Sequence, residues 1–394
     1  MRPMSDTNNA TELSMQPAQS TSARWKRAAL RAAARTDDRF DALRRRLHSR
    51  LGVGDPNTIC AYMGYAAAAP AGTVFKLRGR VLAGKRQEAP LDSDSAWANL
   101  LATYRRLESD EVPGARVQIS LGGTQVEAVT DHEGYYEAEI TPTRHSATPW
   151  QRGTVRLLNP ATEPPVIAEF AALHAPSADF AVISDIDDTI LVSDVTHLLR
   201  AARLLFLQNA RARLTFPGVA AFYTALQRGV GPASFNPIFY VSSSPWNLYD
   251  LLIDFMAFHA IPAGPLFLRD YGIEEPAHTE ASGHAGHKLL HIEQLLADHP
   301  NLPFVLIGDS GQKDPEIYAT VAARHPTRIR AIYIRDIAPA TVNSRDNEVE
   351  QIGRATSVHG VPMLLVANTA AAHAHAAQMG LALPPASAPP TEPR

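Results

Sequence analysis

Short apolar runs alternate with helical stretches through the last part of the chain, from about residue 178 onward. The runs are four to six residues long and rich in β-branched residues, which is typical of buried strands. Strands that alternate with helices indicate βαβ units and a mostly parallel sheet. The strand candidates are Phe180–Ser184, Ile238–Ser242, Pro265–Leu268, Phe304–Ile307, Ile329–Ile334 and Met363–Val366, and helical stretches between them include Thr196–Arg213, Gly218–Gln227 and His287–Ala297.

Acidic residues follow the first of these strands. Asp185, Asp187 and Asp188 lie within four residues, and the alternation of an extended chain predicts that Asp185 and Asp187 face the same side. Carboxylates crowded at the end of a buried strand repel each other, which favours a cation between them. The carboxyl ends of parallel strands are also where open α/β sheets bind ligands. A solvated acidic turn is the alternative interpretation.

A second buried strand also ends in acids. It leads into Gly308-Asp309-Ser310-Gly311-Gln312-Lys313-Asp314, in which the glycines allow a tight loop that brings Asp309 and Asp314 together. Magnesium takes oxygen ligands, often one or two carboxylates together with a substrate phosphate. Two acid-tipped strands without histidine or cysteine therefore fit Mg²⁺ better than Zn²⁺.

Two further features suit a bound phosphate. The strand before Ser242-Ser243-Ser244 runs into hydroxyl groups at the start of a helix, where free N–H groups bind anions, although ordinary helix capping also explains serines there. Lys288 opens a helix after a glycine-containing loop and would neutralise a phosphate.

Histidines near Lys288 offer a different interpretation. His284, His287 and His291 are spaced so that they resemble metal ligands on one helix face. No further ligand accompanies them in the sequence, and the acidic residues remain the preferred metal site.

The beginning of the chain has a different composition. Residues 1–22 are polar and predicted to be disordered, whereas the segment 23–59 contains a basic amphipathic helix with apolar residues at helical spacing from Phe40 to Leu51. Such a helix either lies on an anionic membrane surface or packs its leucines against the neighbouring domain. Both alternatives remain open.

The segment 60–177 contains short strands separated by turns. The run Arg116–Leu121 alternates apolar and polar residues, Gly122-Gly123 makes a turn, and residues 124–130 return. This spacing predicts a small antiparallel β-sandwich, together with a short helix over residues 96–106. The phosphate and metal candidates fall in a catalytic domain at 178–380, and a Pro-rich tail, 381–394, is predicted to be disordered.

Composition limits the partners and the compartment. The 394 residues carry a net charge of −3, which argues against a nucleic-acid partner. One cysteine, Cys60, excludes an internal disulfide, and no secretory signal or transmembrane run is found. We expect a cytoplasmic protein, with peripheral membrane contact as the open alternative.

The motifs together resemble the haloacid dehalogenase superfamily of phosphatases. Its motifs are matched in order by Asp185-Ile186-Asp187-Asp188-Thr189, by Ser242, by Lys288, and by Gly308-Asp309 with Asp314. The surrounding residues, including Phe216-Pro217-Gly218-Val219 and Ser242-Ser243-Ser244-Pro245-Trp246, are similar to the catalytic domain of the actin-patch-associated phosphatidate phosphatases. The resemblance implies a Rossmann-like parallel sheet with helices on both faces.

The resemblance also implies a mechanism. Asp185 would be the nucleophile that forms an aspartyl phosphate, and Asp187 the general acid and base. Ser242 and Lys288 would hold the phosphoryl oxygens, and Asp185, Asp309, Asp314 and the Asp187 carbonyl would bind Mg²⁺. Asp188 is expected to be structural.

The predicted activity is conversion of phosphatidate to diacylglycerol and phosphate. Two alternatives stay open: a phosphatase that acts on a soluble phosphomonoester, and a metal- or lipid-binding module without catalysis. A calcium-binding EF-hand starting at Asp185 is excluded because its sixth position is Ile190 rather than glycine.

Overall fold

A computed structural model describes seven stretches of the chain, all in the compact unit Pro56–Arg394. Predictions for residues 1–56, for the helices at 96–106 and 196–213, for Asp187 and Asp188, and for the tail beyond residue 384 lie outside the described residues. At the start of the predicted tail, Leu381 and Ala382 are buried in a hydrophobic cluster. The described stretches are residues 57–70, 72–83, 110–186, 217–232, 234–269, 284–339 and 344–384.

The second half of the molecule contains a six-stranded sheet in which every pairing is parallel. The strands are β10 (Ala181–Ser184), β11 (Ile238–Pro245), β12 (Leu266–Arg269), β13 (Phe304–Asp309), β14 (Ile329–Arg335) and β15 (Met363–Val366). They lie in the order β12-β11-β10-β13-β14-β15, so β10 lies in the middle, between β11 and β13.

Successive residues of these strands enter two separate hydrophobic clusters. Val182 packs in one cluster and Ile183 in the other, as the alternation of a strand requires. Because helical residues line both clusters, both faces of the sheet are covered and the predicted α/β class is confirmed. The helices are α1 (Val219–Arg228), α2 (Tyr249–Phe258), α3 (His284–Asp298), α4 (Asp314–Arg324), α5 (Ser344–Ser357) and α6 (Thr369–Gln378).

The first half contains a nine-stranded sheet. Its hairpin at Gly122-Gly123 follows the predicted turn, and both glycines have positive φ (53° and 86°), a conformation that other residues rarely adopt. The strands are β1 (Thr58–Ala61), β2 (Gly64–Ala69), β3 (Gly72–Ala83), β4 (Asp110–Glu111), β5 (Arg116–Leu121), β6 (Thr124–Val129), β7 (Tyr135–Ile140), β8 (Trp150–Asn159) and β9 (Ile167–Leu173).

One pairing departs from the predicted antiparallel pattern. The strands β2 and β9 pair in parallel, through Gly64 with Ala172 and Tyr65 with Leu173. Each belongs to an antiparallel pair, β2 with β3 and β8 with β9, and the two pairs lie side by side with β2 and β9 in the same direction. The sheet is therefore mixed.

The two sheets share their cores. Tyr62 and Tyr135 belong to the cluster on one face of the parallel sheet, and Tyr65 and Leu173 belong to the cluster on the other. The nine-stranded sheet thus packs against the part of the molecule that carries the predicted site.

Candidate active site

Three buried carboxylates meet at the carboxyl edge of the parallel sheet. Asp185 directly follows β10, Asp309 is the last residue of β13, and Asp314 is the first residue of α4. One carboxylate oxygen from each residue lies within 4.8 Å of the others, and the side chains are almost completely buried. The structure therefore brings together three of the residues that the sequence analysis assigns to metal binding.

Strand pairing and one glycine explain this meeting. The backbone N–H of Asp185 donates to the carbonyl of Ile307 at 2.9 Å, which aligns the ends of β10 and β13. A Cβ atom at Gly308 would collide with the carboxylate of Asp314, so only glycine allows this close approach. The N–H of Asp309 donates to Asp314 Oδ2 at 3.2 Å and holds the carboxylate beside the strand.

Lys288, from the first turns of α3, is buried between two of the acids. Its Nζ lies 3.0 Å from Asp185 Oδ1 and also forms an ion pair with Asp314. Burial alone would lower the pKa of this ammonium group, but Asp185 and Asp314 outweigh it and raise the pKa well above its ordinary value. Lys288 is therefore a permanent cation in the site.

The cluster retains an excess of negative charge. Two carboxylates pair with one ammonium group and a third carboxylate lies beside them, so the fully ionised cluster carries two negative charges more than positive ones. Buried excess charge is unfavourable without a counter-ion, and an all-oxygen donor set suits a hard cation such as Mg²⁺. The donor chemistry of these residues thus fits the predicted metal.

Ser242 lies near the end of the neighbouring strand. β11 pairs with β10 as far as Ser184 with Tyr240, so Ser242 follows at the same carboxyl edge of the sheet. Its side chain is buried, and its Oγ accepts a hydrogen bond from the N–H of Ser244 at 2.9 Å. This bond closes a local turn inside β11, here called the Ser242–Ser244 turn, whose hydroxyl groups are predicted to bind phosphate.

Comparison with known proteins agrees with the predicted resemblance. Residues 180–336 match the family described as phosphatidate phosphatase APP1, catalytic domain. The chain resembles the APP1 phosphatases. The APP1-like region contains every residue proposed for catalysis and metal binding, and it begins after the last strand of the nine-stranded sheet.

Two fungal proteins are similar to parts of this chain. Phosphatidate phosphatase APP1 of Saccharomyces cerevisiae is 33% identical over 209 residues, which are 52% of this chain and 34% of that protein. An uncharacterized protein of Schizosaccharomyces pombe is 30% identical over 187 residues, 46% of this chain and 29% of its own length. The chain therefore matches about a third of the length of these relatives.

A solved structure shows only a faint likeness. A carbohydrate acetylesterase from Xanthomonas citri is 10% identical, covers 77% of this chain and 75% of its own, and superposes with a TM-score of 0.27. A similarity this low carries no argument about fold or activity.

One residue that holds the loop between Asp309 and Asp314 is not predicted from the sequence. Arg345, in α5, donates from Nε to the carbonyl of Ser310 at 2.9 Å and from Nη2 to the carbonyl of Gln312 at 2.7 Å. It also pairs with Glu316 through both terminal nitrogens, at 2.6 and 3.0 Å. These bonds stabilise the loop between Asp309 and Asp314, and no local pattern around Arg345 indicates them.

The alternative of a metal site formed by His284, His287 and His291 has little support in the structure. His287 and His291 place their Nε2 atoms 3.2 Å apart, as in a hydrogen-bonded pair, and the side chain of His284 lies outside the described residues. Burial, followed by the nearby His287, lowers the pKa of His291 to about 3. Within the described stretches, the cluster of Asp185, Asp309 and Asp314 alone supplies three metal-binding side chains in reach of one another.

Proposed function

We propose that this protein is a magnesium-dependent phosphatase that hydrolyses a phosphomonoester, with phosphatidate as the substrate. The observation that carries the proposal is the buried cluster of Asp185, Asp309, Asp314 and Lys288 at the carboxyl edge of the parallel sheet in the APP1-like region. The fold belongs, in this proposal, to the haloacid dehalogenase type, preceded by a β-sandwich.

The cluster supports a metal-assisted reaction. Asp185, Asp309 and Asp314, with the backbone carbonyl of Asp187, would hold Mg²⁺. When bound, Mg²⁺ neutralises the charge that otherwise keeps an anionic nucleophile away from an anionic phosphate. The two excess negative charges of the cluster favour binding of that ion.

Asp185 is the proposed nucleophile. A carboxylate oxygen attacks phosphorus, the bond from phosphorus to the alkoxide oxygen breaks, and the phosphoryl group is transferred to Asp185. Lys288, whose Nζ lies 3.0 Å from Asp185 Oδ1, offsets part of the negative charge of the cluster before the attack. Lys288 and Ser242 then stabilise the charge that develops on the phosphoryl oxygens.

Asp187 is the proposed proton donor and acceptor. It protonates the departing alkoxide and later removes a proton from the water that attacks the aspartyl phosphate, which regenerates Asp185 and releases phosphate. This assignment comes from the motif, because Asp187 lies outside the described residues.

The lipid substrate follows from the resemblance to the yeast relative, which is named a phosphatidate phosphatase. None of the helices in the described stretches is long and apolar enough to cross a membrane. We propose peripheral contact with a bilayer through the predicted basic helix in the segment 23–59. We propose that the protein acts in the cytoplasm.

Phosphate release tests the proposal. The full chain is incubated with phosphatidate in liposomes and, separately, with glycerol 3-phosphate and p-nitrophenyl phosphate, each with Mg²⁺ and with a chelator. We expect release from phosphatidate that requires Mg²⁺. Activity confined to the soluble esters would contradict the lipid substrate, and no release from any ester would leave a binding module as the better interpretation.

A further inference from the structure

The Ser242–Ser244 turn lies within β11, where the strand pairs less regularly than over its first residues. The parallel pairing of β10 with β11 runs from Val182–Ile238 to Ser184–Tyr240, before the turn begins. On the other side, the register of β11 with β12 shifts between Val241 and Pro245. Pairing with β12 resumes at Pro245 with Arg269, so the turn is positioned together with the residues that directly follow Pro245.

The nine-stranded sheet holds one of those following residues through a buried arginine. Arg80, in β3, donates from Nη1 to Asn247 Oδ1 at 2.7 Å, across 167 residues of sequence. The same guanidinium donates from Nε to the carbonyl of Glu133 at 2.8 Å and from Nη2 to Glu111 Oε1 at 3.0 Å. With 6% of its surface exposed, Arg80 has little freedom to move.

Aromatic stacking adds a second connection. Tyr62, between β1 and β2, stacks on Trp246 with ring centroids 4.5 Å apart, and its ring also lies 4.4 Å from Tyr249. The N–H of Met63 donates to the hydroxyl of Tyr249 at 2.8 Å. Arg78 places its guanidinium 4.8 Å from the centre of the Trp246 ring. Residues 246, 247 and 249 are thus all held by the nine-stranded sheet and by the connection between its strands β1 and β2.

We propose that the nine-stranded sheet positions the Ser242–Ser244 turn for phosphoryl transfer, with Arg80 and Tyr62 as positioning residues. The inference rests on the proposed function, since it assigns the turn to the phosphoryl oxygens. The sheet would then be part of the active-site framework through its contacts with the residues that follow the turn.

Small displacements of such a turn have large effects. Hydrogen-bond donors act on a phosphoryl group only in a narrow geometry, and a misplacement of about 1 Å lowers a rate by about a hundredfold. Loss of one anchor moves the turn by less, because the other remains. We therefore expect losses of about tenfold to a hundredfold from single substitutions.

The first test changes Asn247, because its substitution leaves the nine-stranded sheet intact. Asn247→Leu removes the acceptor of the Arg80 bond, whereas Asn247→Asp keeps an acceptor at the same place. The measured quantity is inhibition by orthovanadate, a mimic of the phosphoryl group in transfer, because the inhibition constant does not depend on the fraction of folded enzyme. We expect the Leu variant to bind vanadate about thirtyfold more weakly, and the Asp variant to stay within about threefold of the parent.

Tyr62 gives an independent pair of variants. Tyr62→Phe keeps the ring that stacks on Trp246, and Tyr62→Ala removes it, so we expect weaker vanadate inhibition only for the Ala variant. The control is Arg116→Gln, which breaks the exposed ion pair with Glu127 in the same sheet and should leave vanadate binding unchanged.

A double-mutant cycle separates positioning from general destabilisation. If Asn247 acts through the turn, Asn247→Leu should weaken vanadate binding much less in a Ser242→Ala background, where the hydroxyl to be positioned is gone. If the two substitutions instead raise the vanadate inhibition constant by independent factors that multiply, the positioning role is overturned. It is also overturned if the Asn247→Leu variant binds vanadate like the parent.

Direct binding of inorganic phosphate distinguishes this inference from the proposed function. If the parent protein hydrolyses no ester yet binds phosphate in a calorimeter, and Asn247→Leu weakens that binding, the positioning role stands and the phosphatase assignment fails. If the parent protein hydrolyses esters, but the Asn247 and Tyr62 variants bind vanadate and phosphate as the parent does, the phosphatase assignment stands and the positioning role is overturned. A parent protein that neither hydrolyses esters nor binds phosphate would overturn both.

Discussion

Two buried cations, Arg80 in the nine-stranded sheet and Lys288 at the edge of the parallel sheet, sit in opposite electrostatic surroundings. Arg80 meets one carboxylate, that of Glu111, and otherwise neutral acceptors on Glu133 and Asn247. Lys288 meets two carboxylates directly and a third within the same cluster. Charge is balanced around Arg80 and is in excess around Lys288.

This difference in charge balance distinguishes a structural contact, at Arg80, from a ligand site, at Lys288. A buried charge whose partners match it stabilises one arrangement of the chain. A buried cluster with excess charge is unfavourable by itself and becomes favourable when an ion or a substrate binds. The first arrangement connects the two sheets, and the second is where we place the chemistry.

The largest effect should come from removing the proposed nucleophile. Asp185→Asn eliminates the attacking carboxylate, and we expect phosphate release to fall by about a thousandfold or more. The matched control is Asp179→Asn, an exposed acid before the other end of the same strand, which should keep full activity. Both are measured as kcat/KM for phosphatidate in liposomes. Equal activity of Asp185→Asn and the parent would contradict the proposed mechanism.

Removing the cation should affect both activity and stability. Lys288→Met removes the ammonium group that pairs with the buried carboxylates of Asp185 and Asp314, and we expect the free energy of unfolding without Mg²⁺ to fall by about 3 kcal/mol. Activity should fall by about a hundredfold, because the phosphoryl oxygens lose a charged partner. Lys313→Met, which changes an exposed lysine next to Asp314, is the control and should have little effect.

The pH and metal dependence of the Lys288→Met variant sharpen this test. Because Asp185 and Asp314 outweigh burial and raise the pKa of Lys288, its stabilisation is complete below the ordinary lysine pKa of about 10.4 and is lost only above it. The deficit of the variant should therefore be constant from about pH 7 to pH 9. Mg²⁺ should stabilise the variant more than the parent in urea titrations. Equal stabilisation of the two proteins would argue against a metal in this cluster.

Much of the acidic site follows from the sequence, because strand ends in a parallel sheet meet at one edge. Asp185, Ser242 and Asp309 each follow an apolar run, and Gly308 allows Asp314 to approach. Those are local patterns. Arg345 leaves no such pattern, since it reaches the loop between Asp309 and Asp314 from a helix further along the chain.

The contacts between the two sheets were equally beyond prediction. Asn247 and Arg80 are 167 residues apart, and their pairing depends on how the two sheets pack. The first two strands were also missed. β2 (Gly64–Ala69) is rich in alanine, which has little strand propensity, and forms because it pairs with β3 and β9. The contact between Arg80 and Asn247 and the formation of β2 both depend on tertiary packing rather than on local sequence.

A smaller effect should come from the contact between the sheets at the other end of α3. Tyr65 donates its hydroxyl to Asp298 Oδ2 at 2.7 Å, and Lys76 pairs with the same carboxylate at 2.6 Å. Tyr65→Phe leaves a buried carboxylate oxygen without this donor, and we expect unfolding free energy to fall by about 1–2 kcal/mol. Gln294→Leu, which removes an exposed donor to Asp298 Oδ1, should lower it by less than about 0.5 kcal/mol.

Phosphate release distinguishes this contact from the Arg80 contact. Tyr65→Phe should leave kcat/KM unchanged at temperatures where the variant stays folded, because Asp298 ends α3 far along the helix from Lys288. A loss of activity comparable to that of Asn247→Leu would mean that any contact between the sheets affects the site. The Arg80 contact would then have no specific role in positioning the Ser242–Ser244 turn.

The smallest effect should appear as a change in the pH dependence of stability at His291. Burial and His287 hold its folded-state pKa near 3, with Arg78 also lowering it, whereas an unfolded histidine titrates near 6.5. The unfolded chain therefore binds the extra proton below about pH 6.5, and stability is lost as pH falls. His291→Phe removes this group, so between pH 7 and pH 5.5 the variant should lose about 1 kcal/mol less unfolding free energy than the parent. Urea titrations at both pH values measure the difference, and parallel pH profiles would show that His291 is protonated equally in both states.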